Sequence, residues 1–413
     1  MSSVLVYENS LSGHRGLYVA ILAEELIRLG LQVTLALPAN ALDQTEGQVF
    51  LANTMQRCEV LPQACISIAN PSGLSFAKAK LSQLVQATKH KQFQRCYVPY
   101  ADGLTQGWGA KLLPKQVLPS ELPIEGLMMR GGFAYPQPSV RRKWAALISK
   151  RLQLRSNLSV IHQLDPMPFY AMQPSANNRI RLMPEFIDQE PDFDQHQSKA
   201  DFGIEPDTHL IVCPGAVNEN KGAHLLIEAI HQPQAEKHLH LLLVGKHSSA
   251  VLQRLSRFPN SKRVTSINRF ATANEFSKLF AAADTVAVCY LRHIGSSSIL
   301  LRAAKSRKQI LASNWGWIGW ATNTFELGKT CNASSIDDIV ASLNQLANQS
   351  EKSGANDLRF KPKTFLDYHS KENHCAHWSD ELCKQLGLPA KPKTSFTSVL
   401  QAVKAKPPNL LAS

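Results

Sequence analysis

The chain opens on an unbroken apolar run, Val4-Leu5-Val6-Tyr7, followed by a polar, turn-rich segment at residues 9–16, NSLSGHRG. Tyr18, Ile21, Leu22, Leu26 and Leu29 then recur at helical spacing, and Gly30 stands where a helix C-cap favours glycine. Residues 31–37, LQVTLAL, return to an apolar run closed by Pro38. Strand, helix and strand at this spacing predict a parallel pair joined by a right-handed crossover.

The alternation continues along the chain. Residues 95–99, RCYVP, and 157–161, NLSVI, read as strands, with a long helix between them over 139–155. Residues 180–188, IRLMPEFID, end a further strand, and the acidic, proline-containing segment 189–197 follows. A domain boundary is placed there. A second series then begins: a strand at 210–213, a loop at 215–222, a helix carrying Leu225, Leu226, Ala229 and Ile230, and a strand at 238–244. A helix at 275–283, a strand at 285–289 and a helix at 336–346 complete it. The pattern predicts an α/β chain of two Rossmann-like β/α/β domains, residues 1–188 and 189–365, facing a central cleft. Residues 366–387 are expected to form a helix packing back on the first domain. Residues 388–413 hold no acid and turn to Lys, Pro, Ala and Ser, so a flexible basic tail is expected.

Composition narrows the class. The 413 residues are 44% hydrophobic and 19% charged, ordinary for a globular chain, and no run approaches the ~20 apolar residues of a membrane span. The start, MSSVLVY, has no signal-peptide pattern, so the cytoplasm is the expected location. The 8 cysteines form no CxxC pair and several lie in strand-like runs, which predicts free buried thiols. A net charge of +13 favours an anionic partner, such as a nucleotide phosphate or a membrane surface. No arginine-rich tract or stacking motif points to nucleic acid. His374 and His377 share a helix face, but no second ligand pair with zinc-like spacing accompanies them, so no metal site is expected.

Four segments in order, CPGAVNENKGAHLLIEAI (213–230), HLLLVGKH (240–247), RFATANEFSKLFAAADTVAV (269–288) and ILASNWG (310–316), resemble the GT-B fold glycosyltransferases, in particular the retaining group 1 or family 4 enzymes. The resemblance spans most of residues 4–350. It implies a sugar transferred from a nucleotide-sugar donor on the C-terminal domain to an acceptor on the N-terminal one. The acceptor would be a glycan or lipid-linked molecule of cell-surface polysaccharide or glycolipid assembly. It implies no metal or other cofactor.

Candidate site residues follow from residue chemistry and resemblance together. Charge develops on a leaving nucleoside diphosphate, and fixed cations and helix N-termini lower the barrier to its departure. Lys221, in NENKG, stands where the family carries a lysine toward the donor phosphates, but its usual arginine, five positions earlier, is Ala216 here. Gly295, Ser296 and Ser297 form a Gly/Ser loop before a helix, suited to phosphate. The two glutamates usual in that segment fall at Ile294 and Arg302, and no acid occurs between Thr285 and Phe325. Arginine cannot accept ribose hydroxyls, but it can meet a phosphate or an acidic sugar. In the first domain, Gly13, His14 and Arg15 occupy the loop that the resemblance puts near donor and acceptor, with His14 as a catalytic candidate. Tyr100, Asp102, His162 and Asp165 follow strands and are candidates for substrate contact, or for turn chemistry. The helix over 139–155 sets Val140, Trp144, Leu147, Ile148 and Leu152 on one face among Arg141, Arg142, Lys143, Lys150, Arg151 and Arg155, which fits a membrane-surface helix and a solvated domain helix alike. The alternative to a working enzyme is a GT-B-fold binding or scaffolding protein that has lost transfer.

Overall fold

A computed structural model describes residues 2–66, 74–102, 104, 121–154, 158–172, 179–187, 191–352 and 363–408. The chain divides into two units: Met1–Pro184 with Glu372–Lys393, and Glu185–Lys371 with Thr394–Ser413. The first boundary thus falls at Pro184, four residues before the one expected from the acidic segment.

The N-terminal unit is a parallel sheet with helices in its crossovers. In chain order it holds β1 (Ser3–Tyr7), α1 (Arg15–Arg28), β2 (Gln32–Pro38), α2 (Thr45–Met55), β3 (Glu59–Gln63), α3 (Leu74–Thr88), β4 (Arg95–Val98) and β5 (Ile124–Met128). Then come α4 (Val140–Leu154), β6 (Val160–Gln163), α5 (Pro166–Ala171) and β7 (Ile180–Leu182). The strand order is β3-β2-β1-β4-β5-β6-β7. Val4, Leu5, Val6 and Tyr7 are all buried, as a central strand covered on both faces requires. The strand expected at 157–161 lies at 160–163, because Leu158 already packs in the core before pairing begins.

The C-terminal unit repeats the plan. Its elements are α6 (Gln195–Asp201), β8 (His209–Pro214), α7 (Ala223–Ile230), β9 (Leu239–Val244), α8 (Ser249–Leu255), β10 (Val264–Ile267), α9 (Ala273–Ala282) and β11 (Thr285–Val288). They continue with α10 (Ser298–Lys305), β12 (Gln309–Ser313), α11 (Gly316–Thr324), β13 (Lys329–Cys331), α12 (Ile336–Lys352) and α13 (Lys363–Tyr368). The strand order is β10-β9-β8-β11-β12-β13, all parallel. One core fills the layer between β8, β9 and β11 and the helices α7 and α12, with Ile211, Leu226, Leu241, Ile339 and Leu343 fully buried.

The last segments return to both units. Helix α14 (Lys371–Leu386) places Trp378, 1% exposed, edge-on to Tyr97 and His162 in the N-terminal unit, with ring centroids 5.7 and 4.8 Å away. His374 serves this packing: its Nδ1 donates to Pro184 O at 2.7 Å and its Nε2 accepts from Trp378 Nε1 at 3.1 Å, so both ring nitrogens are engaged. The expectation of a flexible tail over 388–413 is overturned at its centre. Helix α15 (Phe396–Ala402) forms there, capped by Ser395, with Phe396, Val399 and Leu400 buried. Three apolar residues at i, i+3 and i+4 suffice to dock one short helix, whatever the surrounding composition. Phe396 lies 5.3 Å from the ring of Tyr368 and 6.0 Å from that of Trp317, within its own unit.

Candidate functional site

In each sheet the strand order reverses once, and the loops leaving the strands on either side of that point border a crevice outside the carboxyl ends. In the C-terminal unit the reversal lies between β8 and β11. Lys221 is on the loop after β8, and residues 289–297 form the loop after β11. The two loops are joined directly: Leu291 N donates to Asn220 O at 2.7 Å. Gly222, at φ +71°, seats its backbone against Cys289, where a Cβ would lie 2.3 Å from the carbonyl oxygen. Only glycine permits both that conformation and that approach.

Lys221 is half-buried at the end of a 3-10 turn (Glu219–Lys221) that Asn218 caps. Its Nζ donates to Pro214 O at 2.9 Å and lies 5.4 Å from the centre of the Tyr290 ring. It also stands over Gly215, where a Cβ would come within 2.8 Å of it. Burial lowers its pKa from the ordinary lysine value. Among the described residues no carboxylate lies within ion-pair distance of it. The ammonium is held by a carbonyl and a ring face, and an anion entering the loop would be its first full counter-charge. Ala216, at the family's arginine position, is exposed and brings no charge.

The Gly/Ser loop is only partly available. Gly295 (φ +101°) and Ser297 are buried; Ser297 caps α10 by accepting Leu300 N, so its hydroxyl is committed to the helix. Ser296 is half-buried, and its carbonyl is paired with His293 Nε2 at 3.0 Å. Its side chain is hydrogen-bonded to a carboxylate that the sequence analysis did not single out, Glu185. Glu185 is the first residue of this unit and lies in the field of Arg302. Burial raises its pKa to about 7, against the opposing pull of Ser296 and Arg302, and its Oε2 is enclosed with no hydrogen-bond partner. Its backbone carbonyl accepts from His369 Nδ1 at 2.6 Å. Arg302 is half-buried with its guanidinium 5.4 Å from the Phe276 ring centre. The segment 285–325 has no acid of its own, yet one is brought to it from outside. The sequence signal was the acid in LMPEFID, directly after a strand-ending proline.

In the N-terminal unit the reversal lies between β1 and β4. Gly13 (φ +70°) and His14 are exposed on the loop after β1, at the N-terminus of α1. Arg15 stacks its guanidinium 3.7 Å from the centre of the Tyr100 ring and lies 3.7 Å from Glu8 Oε1. Glu8 is 1% exposed at the end of β1, and burial raises its carboxyl to about 7. Lys80, also 1% exposed, is pulled down to about 8 by burial. Neither buried charge stood out in the sequence: Glu8 follows an apolar run as an ordinary strand-end residue does, and Lys80 lies in a helical stretch where lysine and alanine alternate.

The other three candidates are spent inside the unit. Asp102 accepts the N–H groups of Met129 at 2.9 Å and Arg130 at 2.8 Å, so both oxygens tie the β4 loop to the end of β5. Asp165, 1% exposed, caps α5 by accepting Met167 N at 2.9 Å and takes the Tyr135 hydroxyl. His162, 2% exposed, bonds Glu125 at 2.9 Å in a buried network with Arg95. Asp165 and one ring nitrogen of His162 are thus engaged within the fold, while His162 Nδ1 is buried without a hydrogen-bond partner among the described residues. Arg155, expected on the basic face of α4, lies outside the described residues.

Residues 208–349 match the family model of glycosyl transferases group 1. No curated protein sequence matches the chain. Among solved structures, HepE of Anabaena in complex with UDP and glucose is similar at a TM-score of 0.64 and 15% identity, covering 94% of this chain and 100% of that one. Sucrose-phosphate synthase of Thermosynechococcus elongatus is similar at 0.68 and 14%, covering 94% and 99%. The catalytic domain of starch synthase IV of Arabidopsis thaliana, bound to ADP and acarbose, is similar at 0.57 and 13%, covering 89% and 97%. The fold is GT-B, and the C-terminal unit carries the match to the glycosyl transferases group 1 model.

Proposed function

We propose that this chain transfers a glycosyl group from a nucleoside-diphosphate sugar, held on the C-terminal unit, to a glycan or lipid-linked acceptor. The observation that carries the reading is the pairing of the Lys221 loop with the Gly295–Ser297 loop at the β8/β11 switch point, with a half-buried ammonium that no carboxylate among the described residues neutralises. HepE holds UDP and starch synthase IV holds ADP, so a nucleoside diphosphate is the ligand class proposed here.

In this scheme the bond from the sugar's anomeric carbon to the diphosphate oxygen breaks, and the electron pair leaves with the diphosphate. Lys221 and the N–H groups opening α7 and α10 stabilise that charge, and the scheme calls for no divalent metal ion. The acceptor hydroxyl oxygen bonds the anomeric carbon, and its proton passes to the leaving phosphate. Retention of configuration follows from the resemblance to the retaining group. Gly13, His14 and Arg15 present the exposed loop of the N-terminal unit to substrate. Glu185 supplies the carboxylate that the loop lacks and receives a donor hydroxyl next to Ser296.

A thermal-shift screen with UDP, GDP, ADP and CMP tests the reading. A ligand at 100 times its Kd adds about 2.7 kcal/mol to the folded state. One of the diphosphates is expected to stabilise the protein, with and without EDTA. Failure of all four refutes a working donor site and leaves the scaffolding alternative.

A further inference from the structure

Helix α4 is amphipathic in the reverse sense. A helix covering a sheet turns its apolar stripe inward. Here Val140, Trp144, Leu147 and Ile148 are 70%, 62%, 41% and 52% exposed. They account for four of the nine large apolar side chains exposed among the described residues, so they form a patch rather than scattered exceptions. Their spacing places them on one stripe. Among residues 140–151 only Ala146, Ser149 and Lys150 are partly covered, and Lys150 Nζ donates to Ala171 O at 2.6 Å. The small and polar side of the helix therefore faces the unit, and the apolar side faces away.

Charge surrounds that stripe. Arg141, Arg142 and Lys143 are exposed beside it and Arg151 extends it at the C-terminal end, while no acid occurs from Gly126 to Leu164. We propose that α4 docks the N-terminal unit on an anionic lipid surface. The stripe would sink to the acyl boundary, Trp144 would sit at the interface, and the cations would meet the headgroups on extended stems. A polyanion such as nucleic acid would engage the cations but leave the stripe in water. An uncharged apolar partner would cover the stripe and leave its basic rim unanswered. A negatively charged amphiphilic surface matches both. No described helix is long and apolar enough to cross a membrane, so the contact is peripheral. The docking does not rest on the transfer reading; if both hold, a lipid-linked acceptor is the one brought within reach.

The test is co-sedimentation of the full chain with vesicles of phosphatidylcholine alone or with roughly 40% phosphatidylglycerol. Binding is expected to the anionic vesicles and to weaken at high salt. Trp144→Ser with Ile148→Ser should reduce it at least about tenfold, and Arg141→Gln with Arg142→Gln and Lys143→Gln roughly a hundredfold, at about a fivefold loss for each cation removed. Trp144→Phe should keep binding within a few-fold but abolish most of the lipid-induced blue shift in tryptophan emission. These positions are exposed, so thermal midpoints should not change. Absence of binding to anionic vesicles overturns the proposal. So does wild-type binding by the Trp144→Ser, Ile148→Ser protein, or a concentration-dependent dimer that this variant abolishes, which would assign the stripe to a second copy of the chain. Nucleotide stabilisation of the same variant, unchanged, keeps the outcome separate from that of the donor-site test.

Discussion

Replacing Lys221 with Met probes the donor site at a half-buried cation. Met keeps the length and apolar body of the side chain, so packing over Gly215 and Tyr290 is retained. Two opposing terms bear on stability. The variant loses the 2.9 Å hydrogen bond to Pro214 O, about 1 kcal/mol net, and it relieves the cost of burying an ammonium, which the lowered lysine pKa records. The sum is expected within about 1 kcal/mol of zero. Binding should respond more strongly. A hydrogen bond between ionised partners contributes about 1.5–3 kcal/mol, a factor of roughly 10 to 150 in Kd.

The assay is a thermal shift at a fixed ligand concentration of 100 times the wild-type Kd. Wild type gains about 2.7 kcal/mol, and a variant binding thirtyfold more weakly gains about 0.9 kcal/mol. At about 2 °C per kcal/mol the shift drops from roughly 5 °C to roughly 2 °C. The nucleoside without phosphates should show no difference between the two proteins. The lysine also sets a pH dependence: diphosphate affinity should fall as pH rises through its lowered pKa, and the variant should lack that fall. Equal loss for nucleoside and diphosphate, or no loss in a folded variant, would refute the assignment of Lys221 to the phosphates.

Three other variants separate structure from function. Glu8, buried and with its carboxyl raised to about 7, binds its proton more tightly folded than unfolded, so its contribution is full below about 4.5 and is lost as pH rises through about 7. Glu8→Gln should therefore be nearly neutral at pH 5 and stabilising by about 2–3 kcal/mol at pH 8, read from urea melts; a constant difference at both pH values would contradict the burial argument. Gly222→Ala forces a Cβ to 2.3 Å from the Cys289 carbonyl at φ +71° and should destabilise by about 2–4 kcal/mol, with weaker diphosphate binding, by calorimetry. Asp165→Ala removes the α5 cap and strands the Tyr135 hydroxyl, which should cost about 2–3 kcal/mol of stability and leave KM for donor and acceptor unchanged; a selective rise in KM would return Asp165 to the substrate.

Much of the fold was legible because a parallel strand buried on both faces writes itself as a continuous apolar run. β1, β8 and β9 are of that kind, and the Gly30 and Gly222 breaks mark their crossovers. What was not legible depended on distant partners. Asp165 before Pro166 reads equally as a cap or as a cleft residue, and only the arrival of Tyr135 decides it. His162 lay at a strand end, but Trp378, far along the chain, closes over it. Helix α15 was hidden because composition averages over a segment, whereas Ser395, Phe396, Val399 and Leu400 act as individuals. The apolar stripe of α4 was visible as a pattern, but which side faced the unit was not.

Arg302 poses the last question, since an arginine in place of an acid reads as loss only if no acid comes from elsewhere. Glu185 provides one, placed by β7's end and the His369 hydrogen bond rather than by the loop itself. Two roles are open to it: neutralising Arg302, or receiving a donor hydroxyl through its unpartnered Oε2. A double-mutant cycle tells them apart. If Glu185 only balances the guanidinium, Glu185→Gln weakens donor binding by leaving Arg302 without its counter-charge, and adding Arg302→Gln restores it. If the carboxylate receives a hydroxyl, Glu185→Gln raises KM for the nucleotide sugar roughly tenfold or more, the free nucleoside diphosphate still binds as in wild type, and Arg302→Gln brings no recovery. The second outcome is expected, because the enclosed oxygen has no hydrogen-bond partner among the described residues. Recovery in the double variant would reduce Glu185 to a structural partner and leave the donor sugar without a carboxylate in this loop.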